Sequence, residues 1–331
     1  MQFRKLEPKP VKLALSELVQ TSQLEPGRGL PLVLTAVQGN VNLAEWAGER
    51  LEFIEQHLRR AGALLFRGFG INTSERFQQV LNAVTPQLLT YTERSTPRTS
   101  VSGNIYTATE YPPDQQIPLH NENSYAHEFP RKLWFCCVQP AAQGGETPLA
   151  DSREIFRRLS PQTKSGFIEK SVMYVRNYGQ GIDLDWQTVF QTNSREEVED
   201  YCRGAGVEFE WREGGRLRTR QVRPATQIEP ASGAEVWFNQ AHLFHVSSLA
   251  PGIREDLLAT TAEEDLTRNA YYGDGSPISE ETLAEIRSVY QESAVTFSWQ
   301  RGDVLLLNNL LTAHGRNSYH GLRRVLVAMA L

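Results

Sequence analysis

His120 and Glu122 stand two positions apart in the stretch Ile117-Pro-Leu-His-Asn-Glu-Asn-Ser-Tyr125. Strand side chains alternate with period two, so on an extended segment this spacing puts an imidazole and a carboxylate on one face. A second imidazole, His314, comes far along the chain in Thr312-Ala-His-Gly-Arg316. One ion can be shared by all three only if the fold joins the middle of the chain to its C-terminal end. The helical patterns concentrate in the first third and between the strands, while the three candidate ligands fall on strands. That layout predicts one α+β domain over residues 1–331, built on a double-stranded β-helix (a jelly roll), and it disfavours a βαβ alternation.

Local signals fill in the frame. Residues 1–30, with Pro8, Pro10, Pro26 and Gly27, read as an irregular arm. Leu43, Trp46, Ala47, Leu51, Ile54 and Leu58 fall near a 3.6-residue period and predict one helix over 42–60, stopped by Gly62. Ala63–Phe69 reads as a buried strand, and Thr73-Ser74 caps the next helix. Lys132–Val138 is the clearest strand of a β-rich region over 105–147. Asp151, Ser160 and Ser194 are placed as helix N-caps, and 279–291 is helical. Strands are expected near 207–212, 218–223, 234–240, 295–299, 304–307 and 324–331. The segment from about 155 to 290 is expected to be partly an insertion that covers the site as a lid.

Composition excludes several classes. A net charge of −5 and a pI near 5.9 do not make the basic field of a nucleic-acid binder. No apolar run approaches the roughly 18 residues of a membrane span, and the first twenty residues are not a convincing secretory signal. Three cysteines, Cys136, Cys137 and Cys202, do not form a disulfide framework and suit a reducing cytoplasm.

The chain has seven histidines, so an H-x-E alone is weak. His57 belongs to an amphipathic helix. His127 reads as an edge residue and His320 as a loop residue. His242 and His245 are spaced for a helix face, but no carboxylate or cysteine nearby completes a zinc set. His120, Glu122 and His314 are different. Two neutral imidazoles and one carboxylate, with the opposite face open, are the donor set of non-haem Fe(II) oxygenases. Beyond His314, Arg324 offers a planar fork for a carboxylate-bearing co-substrate.

Three motifs in order carry a resemblance: Ile117–Tyr125, Pro140-Ala-Ala-Gln-Gly-Gly-Glu-Thr147, and Thr312–Arg316 with Arg323-Arg324. With the early strand Gly62–Phe69, they make residues 40–331 resemble the taurine dioxygenase family of Fe(II)/2-oxoglutarate-dependent enzymes. The nearest branch is the one similar to clavaminate synthase and the syringomycin-pathway hydroxylases. The resemblance implies that His120, Glu122 and His314 hold Fe(II), and that 2-oxoglutarate and O2 are co-substrates. It also implies that Thr147 helps hold 2-oxoglutarate and that Arg324 pairs with its distal carboxylate. Arg323, on the other face of its strand, is then structural or solvated.

Two departures from taurine dioxygenase refine this expectation. Glu122 replaces an aspartate, as is common among amino-acid hydroxylases of the family. Ala328 stands where taurine dioxygenase has an arginine for its substrate's sulfonate, which argues against sulfonates. Related halogenases have a small residue in place of the carboxylate, so Glu122 implies hydroxylation, with succinate and CO2 released. Desaturation or cyclisation at the same iron remains the alternative. So do a binding protein on the same fold and a zinc hydrolase, which lacks a visible general base and leaves Arg324 without a task. The implied substrate is a small molecule: an amino acid or an amino-acid-derived secondary metabolite, free or tethered to a carrier protein. Asn123, Tyr125, Asn239 and Gln240 are the candidate substrate contacts, and Asn177-Tyr178 lies in the same covering region.

Overall fold

The computed structural model describes residues 18–25, 27–39, 41–90, 99–108, 111–179 and 183–331. The first strands are β1 (Val19–Glu25), β2 (Arg28–Ala36), β3 (Ala63–Arg67), β4 (Ser100–Ser102), β5 (Ile105–Thr107) and β6 (Ile117–His120). Then come β7 (Lys132–Gln139), β8 (Gln143–Gly144), β9 (Leu149–Asp151), β10 (Val172–Tyr178), β11 (Glu208–Trp211), β12 (Leu217–Arg223) and β13 (Thr226–Ile228). The last are β14 (Glu235–Trp237), β15 (Arg268–Tyr272), β16 (Val304–Asn308), β17 (Thr312–Arg316), β18 (Tyr319–His320) and β19 (Arg324–Ala330). A large sheet runs β1-β2-β3-β16-β7-β19-β5-β4, and a small one runs β6-β17-β9. Strands distant in sequence pair at the centre, β3-β16-β7-β19-β5 and β6-β17-β9, as in a jelly-roll core, while β1-β2-β3 and β5-β4 join sequence neighbours.

Alternation along β7, β16 and β19 divides the side chains of the large sheet between two apolar layers. Leu133, Phe135, Leu305, Leu307, Val325, Val327 and Met329 face an interior shared with Leu149, Phe297 and Trp299. Trp134, Cys136, Val304, Leu306, Leu326 and Ala328 face a helical layer that brings Trp46, Ile54, Leu58, Phe77 and Leu81. Both faces are covered, which is why Lys132–Val138 reads as a continuous apolar run rather than an alternating one.

Several expectations need correction. Residues 19–25 and 28–36 form the hairpin β1–β2 rather than an irregular arm; residues 1–17 and Pro26 lie outside the described residues. The helix expected over 42–60 is two, Leu43–Gly48 and Leu51–Ala61. The break falls at Arg50 (φ −132°, ψ 34°), two residues past Gly48, the weakest helix former in the run. Residues 296–299 do not pair as a strand. Val295 alone bridges to Leu149, while Phe297 and Trp299 fill the interior. The caps at Asp151, Ser160 and Ser194 form as expected, each side chain accepting a backbone N–H of its helix's first turn.

Between 155 and 290 the chain makes a second sheet, β11-β12-β10-β15. Tyr174 on β10 packs edge-on to Tyr125 and Phe244, so this sheet is fused to the segment that follows His120.

The Gly144-Gly145 pair lets the loop after β7 lie against the Ser318–Tyr319 backbone. Gly144 has φ +72°, and a Cβ there would sit 2.2 Å from the Ser318 carbonyl oxygen. Gly103 also has positive φ but faces open space. Thermal unfolding should therefore show Gly144→Ala destabilised by roughly 1–3 kcal/mol, and Gly103→Ala by clearly less. Equal losses would mean the contact with Ser318 is not what fixes the loop.

Candidate metal centre

β17 lies between β6 and β9, and His314 is paired with His120 on one side and Leu149 on the other. Past that pair the register slips, so that Arg316 meets Ile117. Gly315 sits in the slip. A Cβ there would lie 2.6 Å from the Ile117 carbonyl oxygen, so glycine is what lets the two strands approach.

Glu122 reaches the site differently from the sequence expectation. β6 ends at His120, and Glu122 lies in the turn that follows. A side chain, not a neighbouring strand, holds its backbone. Asn309 Oδ1 accepts from the Glu122 N–H at 2.8 Å, and Asn309 Nδ2 donates to the Glu122 carbonyl at 2.9 Å. The next residue, Asn123, takes φ +53°, which asparagine tolerates better than most residues.

The three ligand atoms lie within 4.8 Å of one another. Glu122 Oε2 is 3.9 Å from His120 Nε2 and 3.7 Å from His314 Nε2. Those gaps exceed hydrogen-bond length and leave room for an ion between the atoms. His120 Nδ1 donates to the Pro118 carbonyl at 2.9 Å. The carbonyl only accepts, so Nε2 carries the lone pair and points to the shared site. Glu122 and His314 are buried, His120 is half-buried, and the Phe135 ring packs 5.2 Å from the His314 ring. The donor set, the tautomer of His120 and the one-sided access fit a divalent iron with open positions.

The match to the family of taurine catabolism dioxygenases TauD and TfdA spans residues 23–330. The chain belongs to the TauD/TfdA family. It is 41% identical over 276 residues to the dapdiamide synthesis protein DdaC of Enterobacter agglomerans, covering 83% of this chain and 84% of DdaC. It is 32% identical over 291 residues to a clavaminate synthase-like protein of Arabidopsis thaliana, covering 84% of each. In fold it is similar to PvcB of Pseudomonas aeruginosa, with a TM-score of 0.57 at 14% identity, covering 98% of this chain and 94% of PvcB. AAD-2 in complex with Mn(II) and N-oxalylglycine aligns at a TM-score of 0.55 and 13% identity, over 94% and 96% of the two chains. This TauD/TfdA member is an Fe(II)/2-oxoglutarate-dependent oxygenase, and His120, Glu122 and His314 are its candidate metal triad.

In this enzyme the adjacent arginines are placed opposite to the sequence expectation. Arg324 is exposed at the start of β19, on the face of Leu326 and Ala328, where its charge acts on Glu75 of the outer helical layer. Arg323 lies on the inner side with Val325. Its Nε donates to the Gly145 carbonyl at 3.1 Å, and its guanidinium lies over the Tyr319 ring. Burial, with Arg316 nearby, pushes its pKa down to about 10, so it remains a cation at neutral pH. Both arginines border a cavity of about 240 Å³ with Thr107, Arg316 and Tyr319. The assignment moves by one residue because β19 alternates without a break from Met329 through Val327 and Val325 to Arg323; the irregularity beside it is one extra residue, Val138, in β7. By the same shift the inner residue four past Arg323 is Val327, while Ala328 belongs to the outer layer. No cation stands at either position.

Thr147 is buried, and its Oγ1 accepts from Trp299 Nε1 at 3.0 Å, leaving the hydroxyl's own proton to donate elsewhere. The four candidate substrate contacts are engaged within the protein. Tyr125 lies in the core between Tyr174 and Phe244. Asn123 accepts from the Tyr125 hydroxyl at 3.4 Å. Asn239 donates to the Ala225 carbonyl and accepts from the Ala241 N–H. Gln240 donates to the Asn121 carbonyl at 2.7 Å. The Asn177 amide is likewise used, donating to the carbonyls of Glu264 and Leu266 and accepting from Arg218. His242, read as structural, is buried and donates from Nε2 to the Leu119 carbonyl at 3.0 Å; burial pushes its pKa down to about 3, which keeps it neutral. The residue missed altogether is Asn309. Its one signal was an amide pair, Asn308-Asn309, inside the otherwise apolar run Val304–Leu311.

Removing any one ligand leaves two donors around the ion. His120→Ala, Glu122→Ala and His314→Ala are each expected to lose stoichiometric Fe(II) or Co(II) binding and substrate-stimulated succinate formation, with circular dichroism unchanged. A His314→Ala variant that retained one tightly held metal would refute the triad.

Proposed function

We propose that this enzyme hydroxylates an unactivated C–H bond of an amino acid or amino-acid-derived metabolite, free or carrier-tethered. When bound, the iron supplies O2 activation coupled to oxidative decarboxylation of 2-oxoglutarate to succinate and CO2. The protein's own groups supply geometry. Arg323, rather than Arg324, anchors the distal carboxylate of 2-oxoglutarate. What supports this is that Nη1 and Nη2 of Arg323 have no protein acceptor among the described residues, that Arg323 borders the cavity, and that it falls on the inner face with Val325 and Val327. Thr147 supplies a hydroxyl donor to the same co-substrate. Phe135, Val327, Phe297 and Trp299 make an apolar wall that keeps bulk water from the reacting centre.

The observation that carries hydroxylation is Glu122. Its carboxylate occupies the coordination position that a halide would need. The kinship to a dapdiamide synthesis protein favours a substrate built from amino acids. The segment over 155–290, whose Tyr174 side packs on Tyr125, is suited to cover the substrate as a lid.

Two measurements test this reading. Arg323→Leu should raise the apparent KM for 2-oxoglutarate by roughly two orders of magnitude, equivalent to about 3 kcal/mol for a carboxylate left without its partner; Arg324→Leu should change it little. The reverse order would restore Arg324 as the anchor. With 18O2 and a substrate found by screening amino acids and their amides for succinate release, the product should gain one labelled oxygen even in high chloride. A chlorinated main product would remove the argument from Glu122. A product lighter by two hydrogens would replace hydroxylation by desaturation or ring closure.

A further inference from the structure

We infer that Asn309 and Gln240 are positioning residues that set the Glu122 carboxylate for the metal by gripping the peptide groups on both sides of it. The peptide joining Asn121 to Glu122 is held at both ends. Its carbonyl accepts from Gln240 Nε2 at 2.7 Å, and its N–H donates to Asn309 Oδ1 at 2.8 Å. The next peptide is held through its carbonyl, which accepts from Asn309 Nδ2 at 2.9 Å. Two peptides before that of Asn121–Glu122, His242 Nε2 donates to the Leu119 carbonyl just before His120. Asn309 is itself fixed. Nδ2 also donates to the Pro130 carbonyl at 2.8 Å, and its own carbonyl accepts from Asn121 Nδ2 at 2.6 Å. Asn309 is fully buried and Gln240 nearly so, which makes each bond costly to leave unmade.

The grip replaces what a strand would have supplied. Glu122 lies past the end of β6, in a turn that continues through a left-handed residue, so no ladder fixes its φ and ψ. A carboxylate on a free turn would sample many directions and bind an ion weakly. Only a carboxamide fits position 309, because that side chain must accept from one backbone group and donate to two others. Gln240 comes from the region between β14 and the helix Ala241–Phe244, so the metal turn is tied to the 155–290 segment as well as to β16.

The inference rests on the triad holding iron, and the test separates the two ideas. Co(II) affinity is measured by titration calorimetry for the wild type, Gln240→Met, Asn309→Leu and Thr85→Val, with thermal unfolding of each metal-free protein alongside. Thr85→Val removes a buried hydrogen bond from Trp134 on the outer face of the large sheet, away from the turn. Gln240→Met keeps length and loses one donor, so it serves if Asn309→Leu does not fold. Gln240→Met should bind Co(II) about tenfold more weakly and Asn309→Leu more weakly still, the range expected when groups behind metal ligands are lost. The anaerobic charge-transfer band of the Fe(II)–2-oxoglutarate complex should shift or broaden in Gln240→Met and stay unchanged in Thr85→Val. A wild type that binds no metal would sink the triad itself. A wild type that binds metal, with Gln240→Met within twofold of it, would overturn the positioning role. So would a Thr85→Val variant that lost as much affinity at an equal loss of thermal stability.

Discussion

His120 and His314 face each other across β6 and β17, and a slip of one residue would turn one imidazole away from the other. Several features hold that register. β9 pairs with the far edge of β17, bonding to the same three residues that carry His314. Gly315 allows the close approach at Ile117, and the slip there lets Arg316 reach the loop before β6. Arg316 donates to the carbonyls of Tyr111, Pro112 and Gln115, tying the entry of β6 to the exit of β17. The metal site thus depends on backbone pairing more than on side-chain packing.

The parts of this arrangement that are local in sequence were legible there. Helix caps at Asp151, Ser160 and Ser194 declare themselves because the bond is made within three residues. β7 declares itself because both of its faces are buried. The three ligands could be named from residue type and order, since few side chains hold iron. β1 could not, because its outward residues are polar and it forms an exposed edge hairpin with β2, without the apolar alternation of a half-buried strand. The period-two argument named His120 and Glu122, which the fold does bring together, but for an incomplete reason. The strand stops at His120, and Asn309, remote in sequence, takes over the work of a pairing partner.

The adjacent arginines show where a single sequence runs out. Strand alternation says that Arg323 and Arg324 point to opposite faces, but not which face is inner. That depends on which face of β19 meets the interior, a property of the packed sheet rather than of one strand. Once Val325, Val327 and Met329 are seen to line the interior, the inner arginine is Arg323. The same shift moves the comparison with a sulfonate-binding arginine from Ala328 to Val327 without changing its outcome.

The cations around the cavity also divide by the bonds they already make. Arg316 donates to three backbone carbonyls and is committed to the loop. Arg323 makes one such bond, through Nε, and its terminal nitrogens have no protein acceptor among the described residues. A site with one available inner guanidinium suits one carboxylate, and 2-oxoglutarate brings that group as its distal end. Further along β19 the inner residues are Val327 and Met329, so a second anion would find no partner on this strand. On the proposed reading, with Arg323 as the co-substrate's anchor, recognition of the substrate falls to elements outside β19, and this strand places no charge demand on the molecule to be oxidised.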